Sequence, residues 1–455
     1  MASSRSLAAL SSSFVAAFRG KSLLNESIKT MAFSLGIMAV NLVTGILTAR
    51  SLGPEGRGVQ TALILWPQFL AFATTLGIHS ALLYHMKKAK EEEAELYYAS
   101  LLLSLVAGAA AIAVGVVFIP HWLGGEPESV ARHAQEFMFA TPFMLLYFMH
   151  NALFRGRDEF SLFNRMRYWV PLLTLVTLAL LIAAGNLTPF SSGLAYLAPY
   201  VPVTLYAVVK GVRLYRPKLA RMRTAVRKIA SYGMGAYGID LLGNLILYID
   251  QIILIGLLAP GPLGLYVVAV SFSRMLNVFS ASIVMVLFPK LSALESKEAA
   301  LLCLRVFKLT TLGALACTGV LLLAAPLLIE LLYGSLFLES IPVLSLLVLE
   351  VVIGGSAMVL AQAFMAQGSP IVATISQAIG IVLVVPFMYW LVPAYGLVGA
   401  GMALLFPSVA RLLYVVVQFR LKFKLGFKAF AVGKSDLLWV KGLGARRRSA
   451  SAANE

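Results

Sequence analysis

Charge is scarce in this 455-residue chain: Asp, Glu, Lys and Arg together make 13% of it, against about 25% in soluble globular domains. Beside a hydrophobic share of 60%, that deficit excludes a soluble fold and reads as an integral membrane protein. Cysteine is scarce as well. Cys303 and Cys317 share one apolar segment and stand ~21 Å apart along a helix, beyond disulfide reach. They carry no information about redox compartment. Neither CxxC nor a His cluster offers metal-ligand spacing, and no GK[ST] follows a glycine-rich turn, which removes a phosphate loop. No metal and no cofactor are expected. Long polar stretches are missing too, so no soluble domain interrupts the chain.

What the chain does contain is a series of apolar segments. A bilayer span needs ~20 such residues, and twelve segments qualify: 30–50, 59–85, 97–120, 134–154, 164–185, 191–212, 230–257, 264–288, 303–325, 340–366, 370–392 and 395–419. Each is expected as a transmembrane helix. The Ser- and Ala-rich start, 1–29, reads as a cytoplasmic amphipathic lead-in in preference to an organelle transit peptide, and it lacks the apolar core of a cleaved secretory signal.

The net charge of +17 would fit nucleic acid if it were gathered on one face. It is not. Apart from Arg50, Arg57, Arg132, Arg274 and Arg411, the 37 Lys and Arg fall before Met31, at Lys87–Lys90, Arg155–Arg167, Lys210–Lys228 and Lys290–Lys308, and after Phe419. Those regions follow every second span, apart from the short turn near Gln367–Pro370. This is the positive-inside pattern, which places both termini in the cytoplasm. The basic patches then serve as topology determinants and contacts for anionic membrane lipids, with no nucleic acid among the partners.

An internal repeat sets the domain plan. Leu52-Gly53-Pro54-Glu55-Gly56-Arg57-Gly58 closes span one, and Leu258-Ala259-Pro260-Gly261-Pro262-Leu263-Gly264 closes span seven in the same way. Phe154-Arg155-Gly156 after span four is echoed by Ala366-Gln367-Gly368 after span ten. Six spans per half keep both halves in one orientation, so a pseudo-two-fold axis along the membrane normal and a cavity between the halves are expected. The plan is an all-α membrane protein of about twelve helices in two parallel-related six-helix lobes. Its parts are a cytoplasmic segment 1–29, a lobe 30–212, a basic linker 213–229, a second lobe 230–419 and a basic tail 420–455.

Polar residues inside spans mark candidate sites, since a charge at a bilayer helix centre costs at least ~2.5–3.5 kcal/mol. Arg274, midway along span eight, has only Val270, Ser271, Asn277 and Val278 at helical spacing. A guanidinium there suits phosphate, which its fixed fork of donors can grip. Under the repeat, Gln68 matches Arg274 from the other half. Arg50 closes span one, where it either snorkels to the outer interface or lines the outward side of the cavity. Arg411 in span twelve is either paired with Asp250 or Glu350 or is a second substrate cation. Asn244 and Gln362 offer hydrogen bonds to a polar ligand, although helix-to-helix bonding is the commoner use. Asp240, Asp250 and Glu350 are candidates for a coupling-ion site, with structural pairing as the alternative.

Several strings together carry a family resemblance. Thr48 to Gly58, reading TARSLGPEGRG, resembles the first-loop signature of polysaccharide (O-antigen type) flippases. So do Tyr248-Ile249-Asp250-Gln251, Gly264-Leu265-Tyr266-Val267-Val268-Ala269, Phe288-Pro289-Lys290-Leu291-Ser292 and Leu331-Leu332-Tyr333-Gly334-Ser335-Leu336-Phe337. The match runs over roughly residues 28–420 in order. It implies the multidrug/oligosaccharidyl-lipid/polysaccharide exporter superfamily, a bundle of at least twelve helices in two lobes. The implied substrate is a polyprenyl-diphosphate-linked oligosaccharide moved from inner to outer leaflet, with polysaccharide polymerase or glycosyltransferases as compatible partners.

Two other readings compete. A cation-coupled multidrug exporter would favour an acidic, aromatic cavity and a carboxylate in span one, where this chain has only Asn41 and Thr44. A membrane glycosyltransferase or ligase would need a large external loop or a metal-binding acidic pair. A non-enzymatic flippase is therefore the expected function.

Overall fold

The computed structural model describes the backbone of residues 21–215, 221–430 and 433, with the side chains of 21–28, 239, 243, 244, 246, 278, 279, 281, 285, 427 and 428 excepted. Among the described residues every regular element is helical, which is what a bilayer demands, since only helices and closed barrels satisfy the whole backbone internally. Among the described residues, eight helices are long and apolar enough to cross a membrane. Several of the twelve expected spans are joined or broken.

Helix α1 (Lys21–Ala73) holds the first expected span and the first part of the second, separated by Gly53 at φ 68°, ψ 179°. A left-handed φ favours glycine, and Pro54 then starts the next helical stretch, where its missing N–H costs nothing. The expected loop 52–58 is thus a turn one residue wide. Arg57, read from sequence as an outer-loop charge, is buried instead. It donates to Gln60 Oε1 and lies 5.9 Å from the Tyr196 ring centroid.

The second expected span breaks at Leu76 and Gly77, both with positive φ, before α2 (Ile78–Lys88) begins. Helices α3 (Glu93–Trp122), α4 (Glu128–Phe137), α5 (Thr141–Gly156), α6 (Phe160–Ala183), α7 (Pro189–Leu197), α8 (Tyr200–Leu214) and α9 (Met222–Leu257) follow. Span four is divided between α4 and α5, and span six between α7 and α8. Helix α7 starts at a reciprocal cap, in which the Ser191 N–H donates to Thr188 Oγ1 over 3.1 Å and the Thr188 N–H to Ser191 Oγ over 2.8 Å.

In the second half, α10 (Pro260–Arg274) and α11 (Asn277–Ser292) divide the expected span eight. Arg274 therefore sits in the last turn of α10 rather than in mid-helix, where a cation complements the carbonyl end of the helix dipole. Then come α12 (Ser296–Tyr333), α13 (Ile341–Ala366) and α14 (Ile371–Phe423). Helix α14 contains spans eleven and twelve, joined at Gly396 with φ 55°, ψ −131°.

The chain forms two compact units, Met1–Gly256 and Leu257–Glu455. The sequence places its boundary at the linker 213–229, one helix earlier. In the structure α9 is tied to the first unit: Tyr237 Oη donates to the Ala73 carbonyl, and Lys228 reaches Glu92 at 2.5 Å.

In the first unit the core gathers Leu82, Tyr97, Leu153, Phe154, Met166, Val203 and Ile229 from six helices. At its basic end Arg157 bonds to Glu159 at 2.9 Å and to Glu93. The Tyr215 hydroxyl, which follows α8, donates to Glu93 over 2.9 Å. Burial, reinforced by that carboxylate, raises the Tyr215 pKa and keeps it a donor. In the second unit α13 runs through the middle, against α10, α11, α12 and α14. Its Val359, Leu360 and Phe364 pack with Cys303, Phe307 and Phe419.

Candidate functional site

A cavity of about 480 Å³ opens within the first unit, lined by Phe72, Thr75, His79, Tyr147, Phe148, Asn151, Ala152, Arg155, Phe163 and Arg167. Tyr147, Asn151 and Arg155 are spaced four apart on α5, so they stack along one helix face, as Phe163 and Arg167 do on α6. The wall is thus amphipathic in a particular way. Two guanidinium groups and an amide are set among aromatic rings, and no carboxylate is among the described residues that line it. The Arg167 guanidinium stands 5.1 Å from the Phe163 ring centroid, which holds the cation against a π face.

Two polar atoms at this cavity are buried and lack a hydrogen-bond partner among the described residues: Asn151 Oδ1 and His79 Nδ1. Asn151 spends its amide on the Tyr147 carbonyl at 2.9 Å, which leaves its oxygen as an acceptor. Buried polar groups are nearly always satisfied, so such atoms point to a ligand or water. His79 Nε2 lies 3.4 Å from Asp240 Oδ2, and Ser80 Oγ donates to the same oxygen over 2.9 Å. Arg155 and Asp240 are the charged groups that act on His79.

Of the residues singled out from sequence, Arg50, Gln68, Asp240, Asn244 and Asp250 fall in the first unit, and Arg274, Glu350, Gln362 and Arg411 in the second. Arg50 is exposed, just before the Gly53 turn, and Gln68 is half-buried on α1. The Asn244 side chain lies outside the described residues. Asp250 is 2% exposed. Gln362 is buried and donates to the Met358 carbonyl one turn back at 3.2 Å. Arg274 is half-buried where α10 ends.

Glu350 and Arg411, one of the pairings open from sequence, lie within electrostatic reach of each other. Ser408 Oγ donates to Glu350 Oε1 over 2.7 Å, and Glu350 is the charged group acting on Arg411. Arg411 Nε is buried without a hydrogen-bond partner among the described residues. Two glycines make the room: a Cβ on Gly380 would stand 2.8 Å from Arg411 Cδ, and one on Gly354 would stand 3.3 Å from Glu350 Oε1.

Sequence reasoning missed His79, Asn151, Arg155 and Arg167. The arginines read from sequence as topology charges, and His79 belongs to no cluster with metal-ligand spacing. The signal that marks them is the four-residue spacing of aromatic, amide and guanidinium on α5.

The model of the polysaccharide biosynthesis protein family matches residues 23–295. Among solved structures, the lipid II flippase MurJ in an inward closed conformation superposes with a TM-score of 0.73 at 14% identity, covering 89% of each chain. An inward-facing multidrug resistance MATE family transporter of the MOP superfamily gives a TM-score of 0.66 at 16% identity, over 85% of this chain and 94% of that one. A MOP superfamily transporter from Pyrococcus furiosus, described as having a binding pocket of reverse polarity, gives 0.56 at 17% identity, over 88% and 95%. At these identities the likeness is one of fold: the helices have the MOP-superfamily transporter arrangement. No curated protein matches in sequence.

Proposed function

Because the chain belongs to the polysaccharide biosynthesis protein family, we propose that it is a flippase for a polyprenyl-diphosphate-linked oligosaccharide, working by alternating access from the inner to the outer leaflet. The observation that carries this reading is the first-unit cavity, with Arg155, Arg167 and Asn151 among Phe72, Tyr147, Phe148 and Phe163. Guanidinium forks suit the diphosphate, and aromatic faces and an amide suit a sugar. Arg274, Arg50 and Arg411, with Gln68, Asn244 and Gln362, are the further residues proposed to meet the headgroup. Asp240, Asp250 and Glu350 are proposed for ion coupling. The reading places the protein in a bacterial-type inner membrane with both termini cytoplasmic, beside the polymerase or glycosyltransferases that use its cargo.

A diphosphate carries about two negative charges, and each is worth ~2.3 kcal/mol per 100 mV. An inside-negative potential therefore drives an uncompensated headgroup outward. The test is reconstitution in vesicles with a fluorescent lipid-linked oligosaccharide, read by its accessibility to an external quencher. Transport by the unaltered protein that is lost in an Arg155→Ala, Arg167→Ala double variant supports the reading. An unaltered protein that moves no lipid-linked sugar overturns it.

A second reading, a cation-coupled multidrug exporter, is favoured by the Asp240, Ser80 and His79 cluster beside the cavity. Efflux of an organic cation down a Na⁺ or H⁺ gradient, without movement of the lipid, would select it.

A further inference from the structure

A second and larger cavity of about 880 Å³ lies at the basic end of the same unit, between α2 and the start of α9, and includes Tyr84, His85, Arg227, Lys228, Tyr232 and Gly235 in its lining. Tyr84 and Tyr232 stack across it, with centroids 4.2 Å apart and planes at 17°, and His85 meets Tyr232 edge-on at 5.6 Å. His85 Nε2 is buried and has no hydrogen-bond partner among the described residues. The charges nearby are unbalanced. Glu92 is taken by Lys228 and Glu93 by Arg157. No carboxylate stands within ion-pair distance of Arg227, or of Lys88 4.5 Å from the Tyr84 ring centroid, among the described residues.

Further along α9 two glycines leave open space beside an exposed apolar side chain. A Cβ placed on Gly235 or Gly238 meets nothing within 4 Å, and Met234 beside them is 61% exposed. A cationic, tyrosine-walled recess that continues into an apolar furrow has the chemistry of a glycerophospholipid: phosphodiester at one end, acyl chain at the other. A phosphate ion would leave most of the recess empty and the furrow bare. A zwitterionic headgroup would bring its own ammonium toward Arg227 and Lys88.

We propose that this groove binds one anionic phospholipid from the surrounding leaflet. Its phosphodiester lies between Arg227 and His85, against the edges of the tyrosine pair, and its acyl chain lies along Gly235 and Gly238. The site is separate from the Arg155 and Arg167 cavity and serves as a lipid contact whether or not the protein flips a glycan.

The test uses the full chain purified in a zwitterionic detergent, with phosphatidylglycerol and phosphatidylcholine of matched acyl chains added and bound lipid counted by native mass spectrometry. The expected result is retention of one phosphatidylglycerol in preference to phosphatidylcholine. Arg227→Ala should weaken that binding about fivefold, the effect of one basic residue at a membrane surface, and Arg227→Lys should keep most of it. Arg227 is exposed, so an unchanged melting temperature is expected in both variants. Equal retention of the two lipids, or binding indifferent to Arg227→Ala, overturns the proposal. Displacement by millimolar inorganic phosphate would make the groove a free-anion site, and displacement by polyprenyl diphosphate would make it a cargo site; either result overturns it too. None of these readouts involves transport, so its failure leaves the proposed function standing.

Discussion

Ser80 and Asp240 lie 160 positions apart and share a 2.9 Å hydrogen bond, so a carboxylate on α9 is fastened to α2 at the side of the cavity. His79 reaches the same oxygen at 3.4 Å. Asp240 was singled out from sequence for its charge inside an apolar segment, and its surroundings give that charge a mechanical role.

Removing the carboxylate should loosen α2 from α9. A hydrogen bond to a charged group contributes about 1.5–3 kcal/mol, and partial exposure of Asp240 puts the effect at the lower end. Asp240→Ala is expected to lower the melting temperature of the purified protein, and Asp240→Asn, which keeps an acceptor for Ser80, to lower it less. Equal melting of all three proteins would show that the contact holds nothing together.

Arg155 and Arg167 should act together on an anionic headgroup. Each charge-assisted contact is worth about 1.5–3 kcal/mol, so either alanine substitution is expected to weaken binding of a polyprenyl diphosphate by roughly one to two orders of magnitude. Lysine at Arg155 should restore part of that, since it keeps the charge and loses the fork. Fluorescence titration of the purified protein measures it. Binding that survives the double alanine change would move the headgroup elsewhere.

In the second unit Glu350 and Arg411 should behave as a coupled pair. Both side chains are half-buried, so breaking the pair from one side costs at most the ~3–5 kcal/mol of a buried one. Glu350→Gln and Arg411→Leu are each expected to destabilise strongly, and the double variant by less than their sum. Thermal melts of the four proteins complete the cycle. Strict additivity would show that the two residues do not interact. Ser408→Ala should cost about 1 kcal/mol through the lost bond to Glu350.

Gly77 should tolerate no side chain. Its φ is +67°, and a Cβ there would run into the Gly233 carbonyl oxygen. Gly77→Ala combines backbone strain with a collision against main chain, which places it among severely destabilising changes. Gly235→Ala, with open space around it, is the control and should melt like the unaltered protein.

Arg274 ends α10 and is proposed to face the headgroup. Arg274→Ala is expected to abolish flipping at normal protein level, with Arg274→Lys partly active. A well-expressed, fully active Arg274→Ala protein would remove it from the mechanism.

The sequence made the membrane class, the helical fold and the turn at Gly53 legible, because apolar length and Gly-Pro punctuation are local properties. The breaks at Leu76–Gly77 and after Arg274 escaped it: both interrupt continuous apolar segments, and neither contains a proline. Composition is silent there, and packing decides. The cavity was half-legible. The four-residue spacing of Tyr147, Asn151 and Arg155 was available, but a loop arginine read as a topology signal conceals its second use. For Arg411 the sequence names Asp250 and Glu350 as the carboxylates open to it, without choosing between them or excluding a substrate role.

The turns at Gly53 and Gly396 also bear on how the protein is made. Each joins two apolar stretches inside one 53-residue helical element, with a single left-handed residue where a loop would otherwise stand. Scarcely any polar backbone therefore lies between the two stretches of each pair. Insertion of each pair as one step is the expected consequence. A polar tag of a dozen residues spliced in at Gly53 or Gly396 would turn that step into a translocation event.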